Sequence, residues 1–484
     1  VSSQEAPSDS VGSPVEEQAA AVQPKAKRDK HLHQIDLFRL VTFGGVILDH
    51  VILGVTSPLN VAANGVGLLL RYTRYGFFAL TGFVLTYQYR NRKLDVLDFW
   101  RRRYKLIGIP FIVWSLIYWV YLRYRVGGLD ALKDVFNSTE SIKTAIKSIA
   151  YDLITGGAEY HLYFLSVSMQ IYFVFPAVLW LLKRSNGYHR YLLLVSGAFQ
   201  AWIMYAMVRP PLEFFSSGAP LTLWRHLEIT LLPYQFFVLA GCVAAYHYEA
   251  FQAFILRWRV ILLGVGAAVI AATLVYYVYD IDQTRTTDVD GNGDKGSIAD
   301  QIWAISRAAN VFMLHNVWAM IAIIVMLYCV GTYWLQRRTP GSIPARVLRT
   351  ASDRSFGIYL GHALMLDALY PKIRVPGMNP VLLVIITYVI TVALTIYLVE
   401  VLRRSPISLW TTGRKRIDLS EQNGMRSLIV GCVGVALGVV LRGGFELFVG
   451  NVIAAVGLLL IVSALVVLWQ QRSLADKPAA EISA

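Results

Sequence analysis

Apolar stretches long enough to cross a lipid bilayer recur along this chain, separated by short polar segments rich in Arg, Gly and Pro. About twelve such spans are expected, near residues 36–57, 66–88, 106–124, 161–182, 190–208, 229–247, 260–279, 309–335, 355–371, 379–402, 427–442 and 447–469. The pattern predicts an all-α, polytopic integral membrane protein. Ahead of the first span, "VSSQEAPSDSVGSPVEEQAAAVQPKAKRDK" has no apolar run and cannot bury enough surface to offset ordering, so residues 1–32 are expected to form a disordered tail. No signal-peptide pattern is evident, and the first span itself is expected to direct insertion.

Composition agrees with this reading. Of 484 residues, 56% are hydrophobic and 16% charged, too apolar for a soluble chain of this length. With the N-terminus in the cytoplasm, about 29 Lys and Arg fall in the tails and even-numbered connections and about 12 in the odd-numbered ones, the bias expected of cytoplasmic loops. The strongest contrasts are "YRNRKLDVLDFWRRRYK" and "LQRRTPGSIPARVLRTASDR" against the acidic "DIDQTRTTDVDGNGDKG". The net charge of +14 therefore reflects topology and contact with anionic lipid, and no nucleic-acid partner is expected. Cys242, Cys329 and Cys432 are too scattered for a disulfide framework or a thiolate metal site, and no metal is expected.

Candidate chemistry begins in the first span. "DLFRLVTFGGVILDHV" (36–51) carries Arg39 near one end and Asp49 and His50 near the other, groups that are costly in hydrocarbon. Eleven residues separate Arg39 from His50, so on a helix they lie within about 20° of one face and about 16 Å apart along the axis. Two readings follow for each. Arg39 either snorkels to lipid phosphates or holds an anionic substrate group at the inner surface. His50 either makes one hydrogen bond to a neighbouring helix or moves a proton.

The order of motifs then resembles a known family. An Arg, ten residues and a His (Arg39 to His50), followed by "FFALTGFVL" (77–85), resemble the opening of membrane acyltransferase family 3 proteins. "FWRRRYKLIGIPFIVWSLIY" (99–118) is similar to the basic cluster that leads into a Pro-containing third span. "HLYFLSVSMQIYFVFP" (161–176) resembles the family's His-aromatic segment, and "SFGIYLGHALMLD" (355–367) its late Ser-Phe-Gly-Ile-Tyr-Leu-x-His signature. The likeness covers about residues 33–405 and implies an acyltransferase core of about ten helices. Beyond it lie a basic cytoplasmic connection (406–426), two extra transmembrane helices (427–470) and a cytoplasmic tail (471–484). Small residues in "GCVGVALG" suit close helix packing or a partner membrane protein.

The resemblance implies transfer of an acyl group, most often acetyl, from cytoplasmic acyl-CoA to a hydroxyl of a glycan or glycolipid across the plasma membrane. Arg39 and His50 match the family's essential Arg and His. Its Arg-x-x-Arg element has no clean counterpart, because Arg102 meets Lys105 at that spacing and Arg103 meets Leu106. Arg39, Arg102, Arg103 and Lys105 are the candidate cations for the CoA polyphosphate. His50 is the candidate general base or acyl carrier, with Asp49 beside it. His161, Tyr163, Arg74 and His362 are candidate substrate contacts; for His362 the alternatives are that it faces His50 across the bundle or makes a structural hydrogen bond to a helix neighbour. A non-enzymatic transporter or flippase is the alternative; a lipid-linked sugar glycosyltransferase is disfavoured because the first outer loop, "SPLNVAANG", has no carboxylate. In "DVDGNGDKGSIAD", Asp288, Asp290, Asn292 and Gly293 follow a calcium-loop spacing, but Ala299 stands where a bidentate Glu belongs, so a polar turn is expected.

Overall fold

The computed structural model describes residues 32–211, 213–289, 291, 293, 295–373, 377–417, 421–445 and 449–475. The N-terminal tail up to residue 31 and the last nine residues of the chain lie outside them, as do Asp290 and Asn292 of the polar loop. Among the described residues there is no strand. The helices are α1 (His33–Val55), α2 (Val61–Leu70), α3 (Tyr72–Tyr89), α4 (Val96–Arg103), α5 (Ile109–Lys133), α6 (Thr139–Thr155), α7 (Tyr163–Arg184), α8 (His189–Met207), α9 (Gly218–Arg225), α10 (Gln235–Tyr246), α11 (Tyr248–Thr284), α12 (Ile298–Ala308), α13 (Leu314–Arg337), α14 (Ile343–Ile373), α15 (Pro380–Arg404), α16 (Ser408–Thr412), α17 (Glu421–Phe445) and α18 (Val449–Ala475).

Eight helical stretches among the described residues are long and apolar enough to cross a membrane, and the protein is an all-helical polytopic membrane protein. Each expected span has a helical counterpart, but four fall short of that measure for local reasons. The span expected at 66–88 is broken at Arg71, where the Arg71 amide reaches the carbonyls of Gly67 and Leu68 as α2 closes and α3 begins. α10 is short, and α14 is lengthened by a polar first half that carries Asp353 and Arg354. α8 completes the four. Elsewhere helices overrun the expected bounds. α11 has 37 residues, about 55 Å of helix.

Pro110 shapes the entry to α5. It has no amide to give the carbonyl one turn back, and residues Tyr104–Gly108 form a π-helical turn immediately before it. That turn lets the Tyr104 hydroxyl donate to the Met169 carbonyl on α7 (3.0 Å).

Helix α1 is central, packing against α2, α3, α13, α14 and α15. Around it the core is strongly aromatic, with Tyr75, Phe78, Phe99, Phe175, Tyr234 and Phe237 all buried. In an apolar solvent such packing has to come from close fit more than from burial. α3 and α10 show the requirement: a Cβ on Gly241 would stand 2.0 Å from the Ala79 carbonyl oxygen, and one on Gly82 2.3 Å from that of Val238. α17 and α18 pack along each other and join the core through the Tyr397 hydroxyl of α15, which donates to the Ile453 carbonyl (3.2 Å).

Segment 406–426, expected as a connection, is in large part folded back on the core. The Trp114 indole donates to the Thr411 carbonyl (2.8 Å), and the Ile417 amide to the Arg403 carbonyl (2.9 Å). In the polar loop, Asp288 accepts from the Gly293 amide (2.9 Å), and Asp300 forms a capping box with Ser297 at the start of α12.

Candidate active site

Helices α1 and α14 run in the same direction side by side, and their polar residues meet twice. Arg39 Nη1 donates to Ser352 Oγ (3.3 Å), which donates in turn to Asp36 Oδ1 (2.9 Å). Eleven residues along α1 and ten along α14, His50 Nδ1 lies 2.9 Å from His362 Nε2. On α14, Ser352, Ser355, Tyr359 and His362 recur at intervals of three and four, one face of a helix.

The hydrogen bonds assign the protons of the histidine pair. His362 Nδ1 is 2.6 Å from the Tyr359 carbonyl oxygen, so that nitrogen carries a hydrogen. In a neutral ring its Nε2 is then an acceptor, and His50 Nδ1 must be the donor facing it. His50 Nε2 is left with a lone pair and no proton. His362 is fully buried behind His50, while His50 itself lines a cavity. The Tyr160 ring meets His50 edge-on with centroids 4.6 Å apart, and the Tyr370 hydroxyl donates to the His50 carbonyl (2.8 Å).

Two cavities lie back to back at this pair of helices. The outer one, so named for the expected orientation, has a volume of about 650 Å³ and is lined by Asp49, His50, Arg71, Arg74, His161 and Tyr163, among others. The inner one, about 300 Å³, is lined by Arg39, Arg103, Tyr172, Ser352, Ser355 and Arg414, among others. Phe77, Phe164 and Tyr359 line both and form the partition between them. Tyr359 is held there by its hydroxyl, which donates to the His161 carbonyl.

The cations divide accordingly. Arg39 and Arg103 reach the inner cavity, whereas Arg102 turns outward to pair with Asp98 one helical turn away, and Lys105 is exposed and lines neither cavity. Arg414, not singled out in the sequence, joins Arg39 and Arg103. Its Nε lies 3.4 Å from Asp353 Oδ1, in a network with Arg403, Arg354 and Glu400. Gly413 makes that approach possible: its φ is +64°, and a Cβ would stand 2.5 Å from the Leu106 carbonyl oxygen. In the sequence, only a glycine followed by basic residues, Gly413 to Arg416, hinted at this.

The Asp49 carboxylate makes no hydrogen bond to the His50 ring, since adjacent helical residues diverge by about 100°. Its Oδ1 is buried without a hydrogen-bond partner, and the ring's partner is His362. His161 packs its ring edge-on to His362 with centroids 4.8 Å apart. Tyr163 lies under the Arg74 guanidinium, 5.2 Å from its ring centroid.

Beside the site, in the connection between α6 and α7, Glu159 is nearly buried with Oε2 unpartnered. Burial pushes its carboxyl up to about 7.

A family model described as an acyltransferase domain matches residues 32–400, well over half of the chain and all of α1 to α13 together with α14 and most of α15. No curated protein and no solved structure gives a significant match. The matched segment contains the histidine pair, Arg39 and the partition between the cavities. With that match across its membrane core, the chain belongs to acyltransferase family 3 and is a membrane acyltransferase.

Proposed function

We propose that the protein transfers an acetyl group from cytoplasmic acetyl-CoA to a hydroxyl of an extracytoplasmic glycan or glycolipid in the cell membrane. The observation that carries this reading is the back-to-back pair of cavities, with three guanidiniums on one side of the partition and a histidine lone pair on the other. Arg39, Arg103 and Arg414 hold the CoA polyphosphate, a task that suits planar, permanently charged donors. The slender acyl-pantetheine arm passes Phe77, Phe164 and Tyr359, so that the thioester carbonyl reaches His50.

His50 Nε2 then accepts the proton of the acceptor hydroxyl as its oxygen attacks the thioester carbon. The imidazolium that forms keeps its Nδ1 hydrogen bond to His362, which orients the ring as a third group does in other nucleophile–base pairs. Collapse of the tetrahedral adduct expels the CoA thiolate, and the proton on His50 returns to that sulfur. The products are the O-acetyl ester and CoA. His161, Tyr163 and Arg74 face the acceptor in the outer cavity.

The test is transfer of labelled acetyl from acetyl-CoA into fractionated envelope glycans and glycolipids by membranes containing the protein. Label in one fraction with the wild type and none with His50→Ala at matched expression supports the reading. Equal label with both removes His50 from the chemistry.

A further inference from the structure

Resting on that reading and deepening its acceptor side, we propose that the outer cavity selects an acceptor bearing an anionic group, a carboxylate or a phosphate ester, held between Arg71 and Arg74. These residues stand three apart at the start of α3, on the same side of the helix, and both line the cavity that contains His50. The break between α2 and α3 is what places them there.

Neither guanidinium has a carboxylate within 4.0 Å among the described residues. Arg71 Nη1 donates to the Ala309 carbonyl, and no carboxylate oxygen comes within 4.0 Å of its other donors among the described residues. Arg74 lies over the rings of Tyr163 and Phe312, 5.2 and 5.7 Å from their centroids. Aromatic faces position a cation without neutralising it. The cavity's two carboxylates act on these cations through space only, Asp49 on both and Glu228 on Arg74, neither within 4.0 Å; Asp49 Oδ1 is buried without a hydrogen-bond partner, and Glu228 is exposed.

An incoming anionic oxygen therefore finds two partly buried guanidiniums in the same cavity as the histidine that deprotonates its neighbouring hydroxyl. A neutral sugar leaves both guanidiniums without a hydrogen-bonded anion, and a site built around polar partners rejects ligands that lack them. Sugar acids and phosphate-bearing headgroups share the required chemistry.

The experiment is equilibrium titration of the purified full-length protein in nanodiscs with glucuronate, with glycerol phosphate, and with glucose as the neutral control. Saturable binding of either anion and none of glucose is expected. Arg74→Gln should weaken anion binding at least tenfold. Arg74→Lys should retain part of it, and the exposed Arg285→Gln should change nothing. Tighter binding of glucuronate assigns a sugar acid, and tighter binding of glycerol phosphate a lipid headgroup; both support the proposal. Binding of neither anion, equal binding of glucose, or anion binding indifferent to Arg74→Gln while Arg74→Lys remains folded overturns it. No acyl donor is present, so failure here and failure of acetyl transfer are separate results.

Discussion

His50 and His362 are 312 residues apart in the chain, yet their ring nitrogens lie 2.9 Å apart and their planes are 8° from parallel. Because His362 gives its other N–H to a backbone carbonyl, it can only accept from His50, and that fixes which nitrogen of His50 is the base. His362 is on this account a positioning residue. His362→Ala should lower acetyl transfer about 100-fold, on the scale of losing an orienting partner, with little change in KM for acetyl-CoA. His362→Gln, whose amide oxygen can accept the same hydrogen bond, should restore part of the rate. Steady-state kinetics of both variants check this; equal loss in both points to packing alone.

Arg39 is held through Ser352 to Asp36 in the inner cavity, beside Arg103 and Arg414. Arg39→Ala removes a charge-assisted contact worth about 1.5–3 kcal/mol. KM for acetyl-CoA should rise about 10- to 100-fold. With S-acetylpantetheine, which has no polyphosphate, wild type and variant should give the same KM. A comparison of the two donors reads the effect directly.

The 413–414 corner offers a test of the cavity's third wall. Gly413→Ala forces a Cβ into left-handed backbone and against the Leu106 carbonyl, a strain of about 1–3 kcal/mol. Thermal unfolding in detergent should show a lower midpoint, and affinity for acetyl-CoA should fall with it as Arg414 is displaced. A variant with wild-type midpoint and affinity would show that this corner does not shape the donor site.

Glu159 makes a pH prediction of definite sign. Burial raises its carboxyl to about 7 from an ordinary value of 4.5, so between those pH values the folded protein retains a proton that the unfolded chain has released. Stability from this group is complete below about pH 4.5 and is lost as the pH rises through 7. Thermal midpoints measured from pH 4.5 to 8 should therefore fall less steeply for Glu159→Gln than for the wild type. Parallel curves would contradict the shift.

Much of this was legible in the sequence, and what was not has a physical reason. The spans, the shared face of Arg39 and His50, and the family motifs depend on local periodicity, which a single chain displays. The pairing of His50 with His362 depends on α1 and α14 lying parallel, a tertiary fact, and so the sequence leaves facing His50 as one alternative among several for His362, and Asp49 reads as the ring's neighbour. The break at Arg71 sits inside an apolar run whose hydropathy does not register a change of direction. Arg414 lies past the family match, in a basic stretch that positive-inside anchoring explains equally well until Gly413 turns it back on the core.

The central claim is that His50 performs the chemistry while the three cations of the inner cavity bind the donor. Single-turnover acetyl transfer and acetyl-CoA binding, measured on the same purified His50→Gln protein, test it most directly. The account predicts donor affinity within about twofold of wild type and a transfer rate at least 100-fold lower, the scale of losing a general base. A His50→Gln protein that still transfers acetyl at a rate near wild type, or that loses donor binding in proportion to rate, would contradict it.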